Sequence, residues 1–276
     1  MKPSYVVTGA AGGIGRACVA ELVRRGAHVW ASVRTDADEA ELGRAYGDAV
    51  TVLRMDLRDE ESIARCGERV AAAGPVRGLV NNAGLARPGP LEHVPLDAFR
   101  EQLEVNVTGQ LAVTRAMLPA LRRTESARVV TIGSIGGRIA GPVVGPYHTS
   151  KFALVGLTDS LRAELAPEGI RVVLVEPGAV ATPIWPRARA AASEVRAGLS
   201  PAALERYGDQ LAAAERSAAR SARTGVPPRR AAETVVRALT ARRPAPRYLV
   251  GRDARVAAVL ASLPFRLRYR LTAAKR

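Results

Sequence analysis

The sequence predicts an α/β fold: one doubly wound parallel sheet of about seven strands, with helices on both faces, in a single domain. Three observations predict it. Short β-branched runs alternate with longer amphipathic stretches over the first 180 residues. The runs are almost continuously apolar, as strands buried on both faces must be. No internal repeat or linker divides the 276 residues, a length that one large α/β domain fills. Hydrophobic residues make up 47% of the chain but aromatics only 4%, so the core must be built from Ala, Val and Leu.

The elements follow in order. "YVVT" (5–8) is the first predicted strand, and a helix runs through "GRACVAELVRRG" to a stop at Gly26. "HVWASV" (28–33) and "VTVLRMD" (50–56) are the second and third strands. A helical segment covers 59–73, with Asp59 placed to cap it. "GLVNNAG" (78–84), "RVVTIGS" (128–134) and "RVVLVEPG" (171–178) are the next three strands. Helical segments at 95–123 and 147–166 separate them, the second closed by Pro167 and Gly169. After Pro183 the pattern changes. Residues 183–228 are rich in Ala and Arg and poor in large apolar side chains, which reads as a substrate flap rather than core. A helix at 229–242, a strand "RYLVG" (247–251) and a C-terminal helix in a basic extension (252–276) complete the single domain 1–276.

Charge is distributed unevenly. Residues 1–182 carry 21 Lys and Arg against 20 Asp and Glu, whereas residues 183–276 carry 20 against 6. The net +15 therefore belongs to the last third, whose arginines are expected either to lie on solvated faces or to meet something anionic, such as a membrane surface, an acidic carrier protein or a coenzyme A ester. Nucleic acid is not expected, because no basic stretch interleaves aromatic residues. The chain starts its first strand too early for a signal peptide, and no window holds 18 uninterrupted apolar residues. Cys18 and Cys66 have no paired spacing. A cytoplasmic protein, at most peripheral to a membrane, is the expectation. His28, His93 and His148 are too scattered for a metal site and are expected to be structural.

"VVTGAAGGIGRA" (6–17) places Gly9, Gly13 and Gly15 directly after a strand and at the opening of a helix. Glycines there allow a tight turn and a close approach of backbone to a pyrophosphate, favoured by the helix N-terminus. The spacing is T-G-x-x-x-G-x-G, from Thr8 to Gly15 and including Ile14. It is followed by "NNAG" (81–84), Ser134, Tyr147 with Lys151, and Pro177-Gly178. In this order and spacing, residues 4 to about 183 resemble the short-chain dehydrogenase/reductase family, with the Rossmann-type fold this implies. The C-terminal length is similar to the longer members that act on steroids, retinoids or other lipophilic alcohols.

The residues after the second strand select the nicotinamide cofactor. NAD-type Rossmann units place an acid there for the ribose 2′-hydroxyl, and an arginine favours the 2′-phosphate of NADP. This chain has Val33 and then Arg34, which favours NADP(H), although Asp36 or Asp38 could reach the ribose instead. By resemblance, Asp56 and Leu57 meet the adenine, and Asn82, Ala83 and Gly84 pack beside the cofactor. Pro177, Gly178, Val180 and Thr182 wall the nicotinamide.

Tyr147 and Lys151 are four residues apart on a predicted helix, so both side chains can point into one cleft. A free phenol holds its proton at neutral pH, and a neighbouring ammonium would lower its pKa. Lys151 is the one interior lysine, the others being Lys2 and Lys275. By resemblance, Ser134 holds the substrate oxygen beside Tyr147, and Asn106 supports a water in a proton relay to Lys151. The implied reaction is hydride transfer between the cofactor and a carbinol carbon. Ile139, Val143, Val144, Ile184 and Trp185 are the expected pocket walls, which points to a hydrophobic alcohol or ketone. The alternative is an NADPH-dependent 3-oxoacyl-thioester reductase. Relatives pair the helices over 95–123 and 147–166, so the resemblance implies a homodimer or homotetramer.

Overall fold

The apolar runs pair in parallel. The computed structural model describes residues 2–273. Strands β1 (Ser4–Val7), β2 (His28–Val33), β3 (Val50–Arg54), β4 (Gly78–Asn81), β5 (Arg128–Ile132), β6 (Arg171–Pro177) and β7 (Arg247–Val250) form one sheet in the order β3-β2-β1-β4-β5-β6-β7. Tyr5 lies between Val29 and Gly78, and Val129 between Leu79 and Val172. Because successive side chains leave a strand on opposite faces, Tyr5 and Val7 join one core and Val6 the other.

Helices α1 (Gly13–Arg24), α2 (Asp36–Tyr46), α3 (Glu60–Ala73), α4 (Leu96–Leu103), α5 (Gly109–Leu121) and α6 (Gly145–Leu165) connect β1 to β6. The rest are α7 (Ile184–Ala197), α8 (Pro201–Thr224), α9 (Pro228–Thr240), α10 (Arg252–Ser262) and α11 (Phe265–Ala273). One face of the sheet is covered by Val19 and Leu22 of α1 with Val235, Val236 and Leu239 of α9. The other carries Ile63 and Val70 of α3, Val113 and Met117 of α5, and Leu161 and Leu165 of α6. Cys18 and Cys66 are buried free thiols, one in each core.

Three segments differ from the sequence reading. Helix α2 stands where no helix is expected. It buries only Leu42, so it carries little apolar stripe, and its start is fixed instead by Thr35, whose Oγ1 accepts from the Asp38 amide. Such a cap contributes about 1 kcal/mol. The helical segment 95–123 is α4 and α5 joined by a single π-turn, Glu104–Thr108. The C-terminal extension forms two helices, α10 and α11, and its residues 274–276 lie outside the described residues. The flap is mainly two helices, with α7 packed on α8.

Candidate active site

Strand order places the site. The sheet order reverses between β1 and β4, which opens a crevice beyond their carboxyl ends. The segments after β1, β4, β5 and β6 meet at that edge. Thr8, fully buried, joins the first two: its Oγ1 donates to the Val80 carbonyl (3.3 Å) and accepts from the Asn82 (2.9 Å) and Ala83 (3.0 Å) amides. Asn82 Nδ2 donates back to the Thr8 and Gly9 carbonyls at 2.9 and 3.2 Å.

Gly9 and Gly13 have φ of 63° and 53°, where L side chains are strained. A Cβ on Gly15 would lie 2.2 Å from the Gly9 carbonyl, so α1 begins hard against the strand end. Ile14, in the first turn of α1, packs against the core. The amino end of α1 has no side-chain cap and no acid in its first turn, and the space at Gly12 is open. Backbone N–H groups and a partial positive charge are left there, which is what a pyrophosphate requires. Thr182 closes over this loop, its Cγ2 within 3.1 Å of where a Gly13 Cβ would stand.

The ribose end has a specific charge arrangement. Val33 is buried in the core, and Arg34 next to it is exposed, with no hydrogen bond or ion pair among the described residues. Both nearby acids are occupied: Asp36 pairs with Arg54 at 2.9 Å, and Asp38 accepts from Thr35 Oγ1 at 2.6 Å. Asp56 is clasped by Arg58, at 2.7 and 3.1 Å from its guanidinium, which holds the carboxyl below its usual pKa. Leu57 is buried against α5, where a Cβ on Gly109 would meet the Leu57 carbonyl at 2.4 Å.

The helix spacing brings Tyr147 and Lys151 together at the start of α6, with Lys151 Nζ 5.7 Å from the centre of the Tyr147 ring. Lys151 is buried and donates to the Ile132 carbonyl at 2.9 Å. Burial pulls its pKa down to about 8. Burial pushes the Tyr147 phenol up, and a hydrogen bond with Ser134 opposes that rise. Of these two effects on the phenol, desolvation is the larger in the chain alone. Ser134 is oriented by the Gly136 amide, which donates to its Oγ at 3.0 Å.

Asn106 sits in the π-turn and is fully buried. Its Oδ1 accepts from the Leu85 amide (2.9 Å), while Nδ2 donates to the Leu85 carbonyl (3.0 Å) and Ser150 Oγ (3.0 Å). Gly84 next to this loop is tightly packed, since a Cβ would stand 3.1 Å from Asn106 Oδ1. Gln102 repeats the clamp one turn earlier, donating to the Leu85 carbonyl and accepting from the Arg87 amide. Ser150 Oγ donates to the Tyr147 carbonyl at 2.8 Å. The Asn106 side chain is therefore committed to tying the loop after β4 to the base of α6. π-turns of this kind concentrate at functional sites.

The family model for short chain dehydrogenases matches residues 4–193. The chain belongs to this family. Like its relatives named as dehydrogenases and reductases, this short-chain dehydrogenase is an oxidoreductase acting on CH–OH groups. It is 33% identical over 252 residues to the NADPH-dependent 3-dehydrocapnine reductase of Ornithobacterium rhinotracheale, covering 89% of this chain and 87% of that one. It is also 33% identical over 252 residues to human 17-beta-hydroxysteroid dehydrogenase type 1, covering 88% and 76%. Among solved structures, a short chain dehydrogenase from Burkholderia cenocepacia in complex with NADP matches with a TM-score of 0.76, 27% identity and coverage of 98% and 97%. One from Burkholderia phymatum in complex with NAD matches at 0.80, with 26% identity and coverage of 94% and 92%.

Several residues that shape this dehydrogenase's site escaped the sequence reading. Glu176, completely buried at the end of β6, receives both arms of the Arg138 guanidinium at 2.7 and 2.6 Å. The pair fastens the loop after Ser134 to the strand that ends in Pro177. Breaking a pair whose carboxylate is buried costs about 3–5 kcal/mol, somewhat less here because Arg138 is a quarter exposed. A lone carboxylate in an apolar strand was the available signal. Asp253 of α10 accepts from the Ala179 amide at 2.6 Å and fills the space beside Gly178. His148, expected to be structural, bonds the Gly136 carbonyl through Nδ1 at 2.9 Å.

The expected pocket walls lie around this frame. Val143 is buried with φ of 54°, and its carbonyl accepts from the Gly89 amide, while Val144 bridges to Gly89. Ile139, Ile184 and Trp185 are partly buried, and the Trp185 indole donates to the buried Val180's carbonyl at 2.7 Å. A groove of about 220 Å³ runs along the outer flank of the Gly141–Gly145 run, between Pro90 and Tyr207.

Proposed function

We propose that this dehydrogenase moves a hydride between NADP(H) and a lipophilic secondary alcohol or ketone, or the corresponding primary alcohol or aldehyde. The observation that carries the reading is the convergence of Ser134, Tyr147 and Lys151 at the carboxyl edge of the sheet, between the glycine loop and an apolar loop. Bound NADP(H) supplies or accepts the hydride at the carbinol carbon. Tyr147 Oη gives its proton to the carbonyl oxygen in reduction and removes it in oxidation. Ser134 Oγ holds that oxygen against Tyr147. Lys151, charged, favours the phenolate and offers its remaining N–H donors to the nicotinamide ribose. Asn106 acts as a positioning residue through its side chain. The family resemblance implies a water beside Asn106 in a proton relay to Lys151.

Glycines 9, 13 and 15, Ile14, Thr8 and the open end of α1 hold the pyrophosphate; Asn82, Ala83, Gly84 and Leu57 flank the adenosine side, with Asp56 sharing its carboxylate between Arg58 and the adenine. Pro177, Gly178, Val180 and Thr182 wall the nicotinamide. The lipophilic substrate class rests on Ile139, Val143, Val144, Ile184 and Trp185, and is consistent with the steroid dehydrogenase among the relatives. Turnover of a panel holding steroid and retinoid ketones, short polar ketones and a 3-oxoacyl thioester tests it. Activity is expected on the lipophilic ketones; a preference for the thioester would overturn the reading. We place the protein in the cytoplasm as a homodimer or homotetramer through α4, α5 and α6, where Phe152 remains 44% exposed.

NADP(H) preference rests on Arg34, exposed and without an ion pair among the described residues, while Asp36 and Asp38 are engaged. Arginine–phosphate hydrogen bonds are strong because both groups are charged. Arg34→Ala is expected to raise KM for NADPH by about 10- to 100-fold and leave KM for NADH unchanged. Equal changes for the two cofactors would remove Arg34 from the phosphate site.

A further inference from the structure

The C-terminal extension presents a surface that the dehydrogenase reaction does not use. Val256 and Val259 of α10 are 62% and 64% exposed, and Phe265 and Tyr269 of α11 are 69% and 62% exposed. Leu267 is also exposed. These are five of the eight large apolar side chains exposed on the described residues. Arginines frame them: Arg252 and Arg255 flank Val256 on α10, and Arg266, Arg268 and Arg270 alternate with the apolar residues of α11. Phe265 and Tyr269 stack with ring centres 6.2 Å apart, and the Arg268 guanidinium lies 5.5 Å over the Phe265 ring. The one acid between residues 252 and 270, Asp253, is turned to the Ala179 amide.

This surface adjoins the active site. Asp253 anchors the first turn of α10 beside Gly178, and α10 packs on the turn Ile135–Gly137 that follows Ser134. Exposed apolar side chains interspersed with arginines on α10 and α11 have two requirements, a nonpolar environment for the rings and valines and anions for the guanidinium groups. A bilayer interface bearing anionic headgroups meets both. A second copy of the chain would bring the same arginines face to face, which like charges oppose. An acidic carrier protein would match the arginines but not the aliphatic face. Among the described residues no helix is long and apolar enough to cross a membrane, so the contact is one of lying on the surface.

We propose that α10 and α11 dock the dehydrogenase on anionic lipid, with the substrate pocket opening beside the bilayer. The docking stands on the surface alone; only its purpose, supply of a lipophilic substrate, rests on the function proposed above. The test is co-sedimentation of the full chain with phosphatidylcholine vesicles, with and without phosphatidylglycerol. Binding is expected only with phosphatidylglycerol, and it should weaken as salt rises. Each exposed arginine removed should weaken binding about five-fold, so Arg255→Gln with Arg266→Gln should weaken it roughly 25-fold. Val259→Ser with Phe265→Ser should weaken binding at low salt as well. Turnover of a soluble ketone in detergent-free buffer should be unchanged in both variants, which separates docking from catalysis and from misfolding. The proposal is overturned by no binding to either vesicle, or by variants that bind like the parent chain. It is equally overturned if an acyl carrier protein binds and vesicles do not. Dissociation of a lipid-free oligomer by Phe265→Ser, read by sedimentation velocity, would assign the surface to a second copy instead.

Discussion

Tyr147→Phe is expected to abolish turnover while leaving NADPH bound. The substitution removes one oxygen from a side chain that is held on both sides. The ring stays packed against His148, and the Ser150 hydroxyl continues to bond the Tyr147 backbone carbonyl. The fold therefore has no reason to change. What is lost is the phenol hydroxyl that hydrogen-bonds Ser134 at this edge. General acid–base catalysis of this kind contributes about 10²- to 10⁴-fold, so kcat should fall by that factor. Cofactor affinity, read by NADPH fluorescence, should change by less than about threefold, since no phosphate or adenosine contact is touched. A variant with undiminished kcat would remove Tyr147 from the chemistry. A parallel loss of NADPH binding would instead make it a cofactor residue.

The fold and the reactive groups were legible for different reasons. Five strands buried on both faces (β1, β2, β4, β5 and β6) announce themselves by near-continuous apolar runs, and the edge strand β3 shows the same β-branched composition although only Val50 and Leu53 are buried. The seventh, Arg247–Val250, is only partly buried, yet its YLV core was still readable. Helix α2 was not, since it buries only Leu42 and is held by its cap and acidic first turn. At the site, the glycines, Tyr147 and Lys151 are carried by spacing along one element, which a sequence displays directly. Gln102, Ser150, Arg138 with Glu176, and Asp253 act between elements far apart in the chain. Arg138 and Glu176 are 38 positions apart, and Ala179 and Asp253 are 74. Their partners exist only once the sheet has set which loops are neighbours. Glu176 alone gave a warning, as a carboxylate inside an apolar strand.

Lys151→Met should separate stability from function in the same side chain. The ammonium is buried and donates to the Ile132 carbonyl, and its pKa falls to about 8 because burial penalises the charged form. In the unfolded chain a lysine titrates near its ordinary value of 10.4. Between those two values the unfolded chain holds a proton that the folded chain has released, so folding stability rises with pH across that window. Below pH 8 both states are charged and the full penalty is present. A shift of this size corresponds to roughly 3 kcal/mol against the folded state at neutral pH. Methionine fills a similar volume without the charge, at the loss of one hydrogen bond of about 1 kcal/mol. Lys151→Met is therefore expected to raise stability at pH 7 by about 1–2 kcal/mol, measured by urea unfolding. It should also flatten the rise in stability above pH 8. Turnover should fall at least about 100-fold, because the phenol then sits in its desolvated site with no ammonium to favour the phenolate. A variant less stable than the parent at pH 7 would show that the ammonium is held by more than the Ile132 carbonyl. An active variant would mean that Tyr147 is tuned by Ser134 alone. The expected combination, a more stable and nearly inactive protein, would mean that the lysine is retained for the reaction at the expense of the fold.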